Sequence, residues 1–268
     1  MKKAALILIA LCAAGMLAAG GGAETEGPKP LVVAMELQYP PFEMSDAAGN
    51  PIGISVGIAE ALGEFLGRPV VIENTAWTGL IPSLQTGKAD IIISSMTITE
   101  ERSRVVDFSD PYVQSGLTLL IAADSPVENF NDLNQPGRIV AVKSGTTGAH
   151  IARERLTNAE VRLFDEVSAC VLEVSQGKAD AFIYDALTVY ENHKKHPNTT
   201  RINIQSIQGT DSYWGMAVRK DQEEFLAEVN AFIREFRASG GFNALADRYL
   251  GEQKTIFDEY GVSFFFDL

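Results

Sequence analysis

Short apolar runs alternate along this chain with stretches whose apolar positions return at helical spacing, the pattern of α/β units. Residues 31–35 (LVVAM), 70–73 and 90–94 read as strands, with helices over 56–66 and 80–85 between them. Further on, 115–122 is apolar and extended, and a loop follows near Ser125 and Pro126. Residues 138–143 (RIVAVK) and 179–184 (ADAFIY) then read as buried strands. A polar stretch near 197–200 precedes a returning strand over 212–218 (SYWGMAV) and an amphipathic helix over 223–239. The alternation predicts two α/β lobes, without repeats or low-complexity tracts.

Three strand ends carry candidate chemistry. In DIIISSMTITEERSRVVDFSDPY (90–112) an apolar strand stops at hydroxyls, Ser94, Ser95 and Thr97, and a helix start follows. Thr97 and Glu100 have capping-box spacing, and Arg102 falls in the first turn, where a cation opposes the helix dipole. An external anion would explain the arginine, because free N–H groups, hydroxyls and a guanidinium together bind a carboxylate. An ion pair with a nearby Asp or Glu explains it equally simply. After 138–143 the loop Ser144-Gly145-Thr146-Thr147-Gly148 opens a helix at Ala149. Gly145 suits a positive φ, and the loop's N–H groups suit an anion-binding nest, though many strand-to-helix turns read this way without a ligand. Lys143, which ends that strand, is counted with the site. Asp185 follows 179–184 and is either a cation ligand or the N-cap of a helix from Ala186.

These features share the carboxyl ends of strands, where open α/β sheets bind ligands. An anion site and a cation site facing one crevice describe a small zwitterion, of which a free α-amino acid is the simplest. Tyr39 in QYPPFE and Trp77 before Leu80 would wall such a site, unless they serve core or loop packing.

These motifs resemble the periplasmic polar-amino-acid-binding proteins of ABC transporters. The resemblance runs from about Leu31 to Leu250 through YPPFE (39–43), GLIPSLQTGKAD (79–90), SSMTITEER (94–102), DFSDPY (107–112), VKSGTTG (142–148), GKADAFIYD (177–185) and WGMAVRK (214–220). It implies an α/β two-lobed fold with a discontinuous first lobe, a two-crossover hinge and the ligand between the lobes. Lobe one would comprise 24–114 and 212–268, with an extension over 251–268, and lobe two 115–211. By the same resemblance Arg102 grips the ligand carboxylate with Ser95, Thr97 and the backbone around Thr147, and Asp185 takes the ammonium with a share from Ser95. Tyr39 and Trp77 would sandwich the side chain. Glu36 stands where relatives that bind basic or amide side chains often carry an acid, so it meets the ligand's side chain unless it pairs with a protein lysine or faces solvent. Arginine, lysine, histidine and glutamine are therefore favoured over acidic or small ligands. The chain departs from the family in reading Gly53-Ile-Ser55-Val-Gly57-Ile58 where relatives carry acids. Ser55 remains able to cap a helix. It also runs on into a segment with Phe264, Phe265 and Phe266, which are expected to dock on the body.

Residues 1–23 read as a removable signal peptide, with Lys2 and Lys3 before an apolar stretch and small residues through Ala23. Leu11 before Cys12 disfavours a lipidated cysteine, so cleavage after Ala23 or near Ala19 is expected. Loss of the two lysines takes the formal charge from −13 to −15, which disfavours nucleic acid and membrane surfaces. The mature chain keeps only Cys170, which rules out an intrachain disulfide; its apolar neighbours predict a buried helix residue. His193 and His196 in HKKHPN read as a solvated helix end, and no cofactor or metal is implied. The expectation is a monomeric periplasmic receptor that delivers a free amino acid to an ABC transporter permease. A cyclohexadienyl dehydratase-like enzyme and a ligand sensor for a signalling partner share the scaffold. The enzyme needs a placed general acid, a role to which Asp185 is ill suited if it stays ionised among hydroxyls and Arg102.

Overall fold

The computed structural model describes residues 27–261, 265 and 266. Residues 1–23, read above as a signal peptide with Cys12 among them, and Phe264 lie outside them. The apolar run β1 (Leu31–Met35) starts the fold, followed by a small antiparallel sheet of β2 (Gln38–Tyr39), β3 (Glu43–Ser45) and β4 (Pro51–Ile52). Then come α1 (Ile54–Leu66), β5 (Val70–Asn74), α2 (Leu80–Gln85), β6 (Ile91–Ile92), α3 (Glu100–Ser103) and β7 (Asp107–Phe108). Through β8 (Val113–Ser115) the chain crosses to β9 (Leu117–Ala122), β10 (Ile139–Lys143), α4 (Thr147–Arg155), β11 (Glu160–Phe164), α5 (Val167–Ser175), β12 (Ala181–Asp185), α6 (Ala186–Lys195) and β13 (Thr200–Asn203). It returns by β14 (Ser212–Trp214) to β15 (Ala217–Val218), α7 (Glu223–Ala238) and α8 (Gly241–Tyr260).

Among the described residues two five-stranded sheets result, ordered β5-β1-β6-β15-β7 and β11-β10-β12-β9-β13. In each, three parallel strands adjoin a strand that runs the other way, β15 or β9. Between the sheets run the two crossing strands β8 and β14, paired antiparallel from Ser212↔Ser115 to Trp214↔Val113. This is the two-lobed α/β architecture with two crossovers, and the first sheet draws its strands from both sides of the second.

The helices form for local reasons that the packing then completes. Helix α1 puts Ile54, Ile58 and Leu62 on one face, and all three are fully buried in the first lobe's core. It stops at Gly67, whose φ of 65° lets the N–H groups of Gly67 and Arg68 cap the carbonyls of Glu64 and Gly63. Cys170 is buried on α5, and burial pushes its thiol up to about 12, so it is no nucleophile near neutral pH.

Three local expectations are corrected. The cap of α3 is Thr99, whose hydroxyl accepts the Arg102 N–H at 3.2 Å, two residues beyond the expected Thr97. Helix α1 has no side-chain cap; Gly53 precedes it and the Ser55 hydroxyl turns inward to Glu43. The strand over 212–218 is broken at Gly215, where an added Cβ would lie 3.0 Å from the Ile98 side chain. Truncating a well-packed core position tests this packing. Leu62→Ala should lower unfolding stability by about 2–5 kcal/mol, read as a lower urea midpoint with an unchanged slope.

Candidate ligand-binding site

Strand ends from both sheets converge on a cavity of about 50 Å³. A space of that size takes a few waters, so in this arrangement the lobes are nearly closed on one another. Of the residues singled out from sequence, Glu36, Tyr39, Trp77, Ser95, Thr97, Arg102, Thr146, Thr147 and Asp185 line it. Lys143 does not; it lies behind Glu36, and the two form an ion pair with both side chains almost wholly buried. Glu36 thus takes the protein lysine as its partner, across the cleft from β1 to β10. Its other carboxylate oxygen accepts the Trp77 N–H at 3.2 Å.

Arg102 is half-buried and pairs with no carboxylate among the described residues. Its guanidinium donates to the carbonyls of Thr97 (2.7 Å) and, across the cleft, Gly145 (3.1 Å). The face of Trp77 lies 5.2 Å from it. Burial lowers its pKa to about 10, which still leaves it charged at neutral pH. Opposite, Thr146 caps α4: its hydroxyl accepts the Ala149 N–H at 3.3 Å and donates to the Lys143 carbonyl. The first-turn N–H groups of Thr147 and Gly148 then lack helical acceptors at the cavity wall. Gly145 has a φ of 71°, and at Gly148 a Cβ would meet the Ile183 carbonyl at 2.9 Å, so this corner needs both glycines.

Asp185 serves both readings of its position. Oδ1 accepts the Thr188 N–H at 3.0 Å and so caps α6, while the buried Oδ2 has no hydrogen-bond partner among the described residues. Burial raises its carboxyl pKa against the lowering effects of Thr188 and of the neighbouring Tyr39 hydroxyl, which faces it without regular hydrogen-bond geometry. That opposes the ionised state expected from its neighbours, and a cation at Oδ2 would restore it. Tyr39 stacks on Phe42 at 5.4 Å and meets Trp214 and Tyr184 edge-on at 5.8 and 6.1 Å. Its hydroxyl also lacks a partner among the described residues.

Sequence reasoning missed Glu43. It ends YPPFE, where nothing distinguishes a buried acid from an exposed one, yet it is 1 % exposed and lines the cavity. The hydroxyls of Ser55, Ser95 and Ser94 donate to its carboxyl at 2.5, 3.1 and 3.3 Å. Burial outweighs those bonds and raises its pKa to about 8. Ser55 therefore supports an acid placed on β3. Trp214, Tyr184, Leu117, Ser115 and Ser212 complete the wall and were likewise unmarked.

The model of the bacterial extracellular solute-binding proteins, family 3, matches residues 31–252. The chain belongs to this family. Among its relatives, the L-cystine-binding protein TcyJ of Escherichia coli is 30 % identical over 227 residues, covering 84 % of each chain. The L-arginine-binding protein of Pseudomonas aeruginosa is 30 % identical over 240 residues, covering 87 % of this chain and 90 % of the relative. Among solved structures, the ancestral amino acid-binding protein AncCDT-1, described as a precursor of cyclohexadienyl dehydratase, superposes with a TM-score of 0.74 at 36 % identity. It covers 82 % of this chain and 94 % of its own.

The Glu43 carboxyl has a pH consequence. Its pKa is raised on folding, from an ordinary 4.5 to about 8, so the folded protein holds a proton that the unfolded chain releases. Its contribution to stability is complete below about 4.5 and disappears as pH rises through about 8. Glu43→Gln should therefore gain on wild type in melting temperature as pH rises from 5 to 9. A constant difference between the two melting curves would contradict the shift.

Proposed function

We propose that the chain is an extracytoplasmic receptor that binds a free L-amino acid between its lobes and delivers it to the permease of an ABC importer. One observation carries the reading: a guanidinium without a carboxylate partner and a buried carboxylate oxygen without a donor line the same cavity. A zwitterion supplies both missing charges at once. Arg102, the Thr147 corner and the Thr97 hydroxyl take its carboxylate, and Asp185 takes its ammonium, with the Ser95 oxygen, whose proton goes to Glu43, as a further acceptor. The family and the cystine- and arginine-binding relatives support the ligand class. Removal of residues 1–23, a periplasmic location, a monomeric state and the lobe limits 24–114 with 212–268 and 115–211 belong to the same proposal.

The side-chain end is set by Glu36 and Lys143. A guanidinium or ammonium approaching Glu36 meets the lysine's charge, whereas an amide or another neutral polar group meets a compensated pair. Within the polar and cationic class this favours neutral polar side chains. Lys143→Met leaves the Glu36 carboxylate buried without a counter-ion, a costly state that a ligand guanidinium would relieve. The variant should move the arginine-to-glutamine affinity ratio at least about tenfold towards arginine, near 1.4 kcal/mol by calorimetry. An unmoved ratio would remove Glu36 and Lys143 from selectivity.

A thermal-shift screen of the standard amino acids with ornithine and cystine tests the receptor reading directly, because a ligand of the native state raises its melting point. Arg102→Ala should abolish the shift, with about 2–5 kcal/mol of binding energy lost from a charge-assisted pair in a closed cleft. Stabilisation only by compounds without an α-amino group would overturn the role of Asp185.

Glu43 favours a second reading, a dehydratase on this scaffold, since it is an acid held protonated near neutral pH at the cavity wall. Its carboxyl oxygens are already engaged by the hydroxyls of Ser55, Ser94 and Ser95, and this supports the receptor over the enzyme. Turnover of prephenate or arogenate to an aromatic product would reverse that preference.

A further inference from the structure

None of the described residues after Leu250 lines the cleft, and the family's match ends at residue 252. Helix α8 leaves helical geometry at Leu250 (φ −128°, ψ 16°) and continues in a new direction to Tyr260. The new direction carries it to the other lobe. Gln253 donates to the Glu191 carboxylate on α6 at 3.3 Å, and Phe257, 1 % exposed, shares a buried cluster with Ala186 and Leu187 at the start of α6. The chain then returns to the crossing strands, where the Phe265 carbonyl accepts the Gln114 N–H of β8 at 2.8 Å. The Phe265 ring packs on Phe257, Phe42 and Trp214 at 5.2, 5.2 and 6.0 Å.

We propose that residues 251–261, with Phe265 and Phe266, form a strap across the two lobes behind the hinge, which stabilises the closed arrangement and tightens ligand binding without touching the ligand. The strap contacts to α6 coexist with the contacts that close the cleft, Glu36 to Lys143 and Arg102 to Gly145. On this proposal a rotation of one lobe on the crossing strands would carry α8 away from α6, so opening the cleft would break Gln253–Glu191. Interactions present in one arrangement and absent from the other shift the balance by their difference. The affinity then rises with the fraction of molecules already closed. A cavity of about 230 Å³ between Phe257, Phe265, Ala186 and Gln205 leaves room for that rotation.

The inference rests on a cleft that closes on its ligand, and its first readout needs no ligand. Gln253→Ala removes the polar contact, and Phe257→Leu keeps a core-sized side chain while losing the ring; circular dichroism melts confirm that both fold. Small-angle scattering of the ligand-free proteins should give both variants a larger radius of gyration than wild type. Calorimetry with L-glutamine as probe should show affinity lowered about 3- to 10-fold. Unchanged radii in both variants, smaller radii, or tighter glutamine binding would overturn the strap. If wild type takes no glutamine or other amino acid, the receptor reading fails, and the scattering result alone decides the strap.

Discussion

Glu36 leaves the end of β1 and Lys143 the end of β10, and their charges meet where almost no water reaches either. Taking a carboxylate and an ammonium out of water separately costs several kcal/mol each, a penalty relieved only by their contact. The contact exists only while the carboxyl ends of the two sheets face one another, so the pair ties burial of both charges to closure of the lobes. It also orders its surroundings. The second carboxylate oxygen fixes the Trp77 backbone, and Trp77 lays its ring over Arg102 and against Gly145. The Glu36 N–H in turn donates to Ser94, which donates to Glu43. Anion corner, aromatic wall and buried acid are thus joined through one residue at the end of one strand.

Charge in this cleft is distributed so that a zwitterion completes it. Glu36 and Lys143 cancel, Glu43 holds a proton near neutral pH, and Arg102 and Asp185 remain as a cation and an acid whose full charge burial resists. A neutral ligand would leave both unmatched. A purely anionic one would satisfy Arg102 while adding charge beside Asp185 and Glu36. The carbonyls of Thr97 and Gly145 occupy two of the guanidinium's donors, which orients the fork while leaving other N–H groups for a carboxylate.

The two lobes and the crevice positions were legible because they depend on local pattern. The apolar runs at 31–35, 138–143 and 179–184 contain the strands β1, β10 and β12, and polar residues at or just after their ends sit at the carboxyl ends where crevices form. Errors arose where several residues fitted one local rule. Thr97–Glu100 and Thr99–Arg102 have the same spacing, and only packing selects Thr99 as the cap. Ser55 suits a cap by type, but a buried carboxyl offered its hydroxyl a better acceptor. Glu43 was beyond local reading because its role rests on burial, and the lysine that the sequence offered Glu36 as an alternative partner could not be named, since it lies 107 residues away in the chain.

The back of the hinge follows from the same bookkeeping applied to apolar surface. Phenylalanines at 257, 265 and 266 would leave a large greasy patch on a strongly acidic protein if they stood in water, and the crossing strands offer a place to bury them. Phe266 stacks on Phe242 at 5.5 Å, and Phe242 on Tyr112 at 6.2 Å, just before β8. Phe265 reaches Tyr39 through Phe42 and Trp214. The tail therefore abuts both the strands about which the lobes turn and the ring that walls the cleft. A close-packed interior transmits such contacts because its side chains have few alternative arrangements. Burying the tail thus joins the crossing strands and the aromatic wall of the cleft in one continuous cluster.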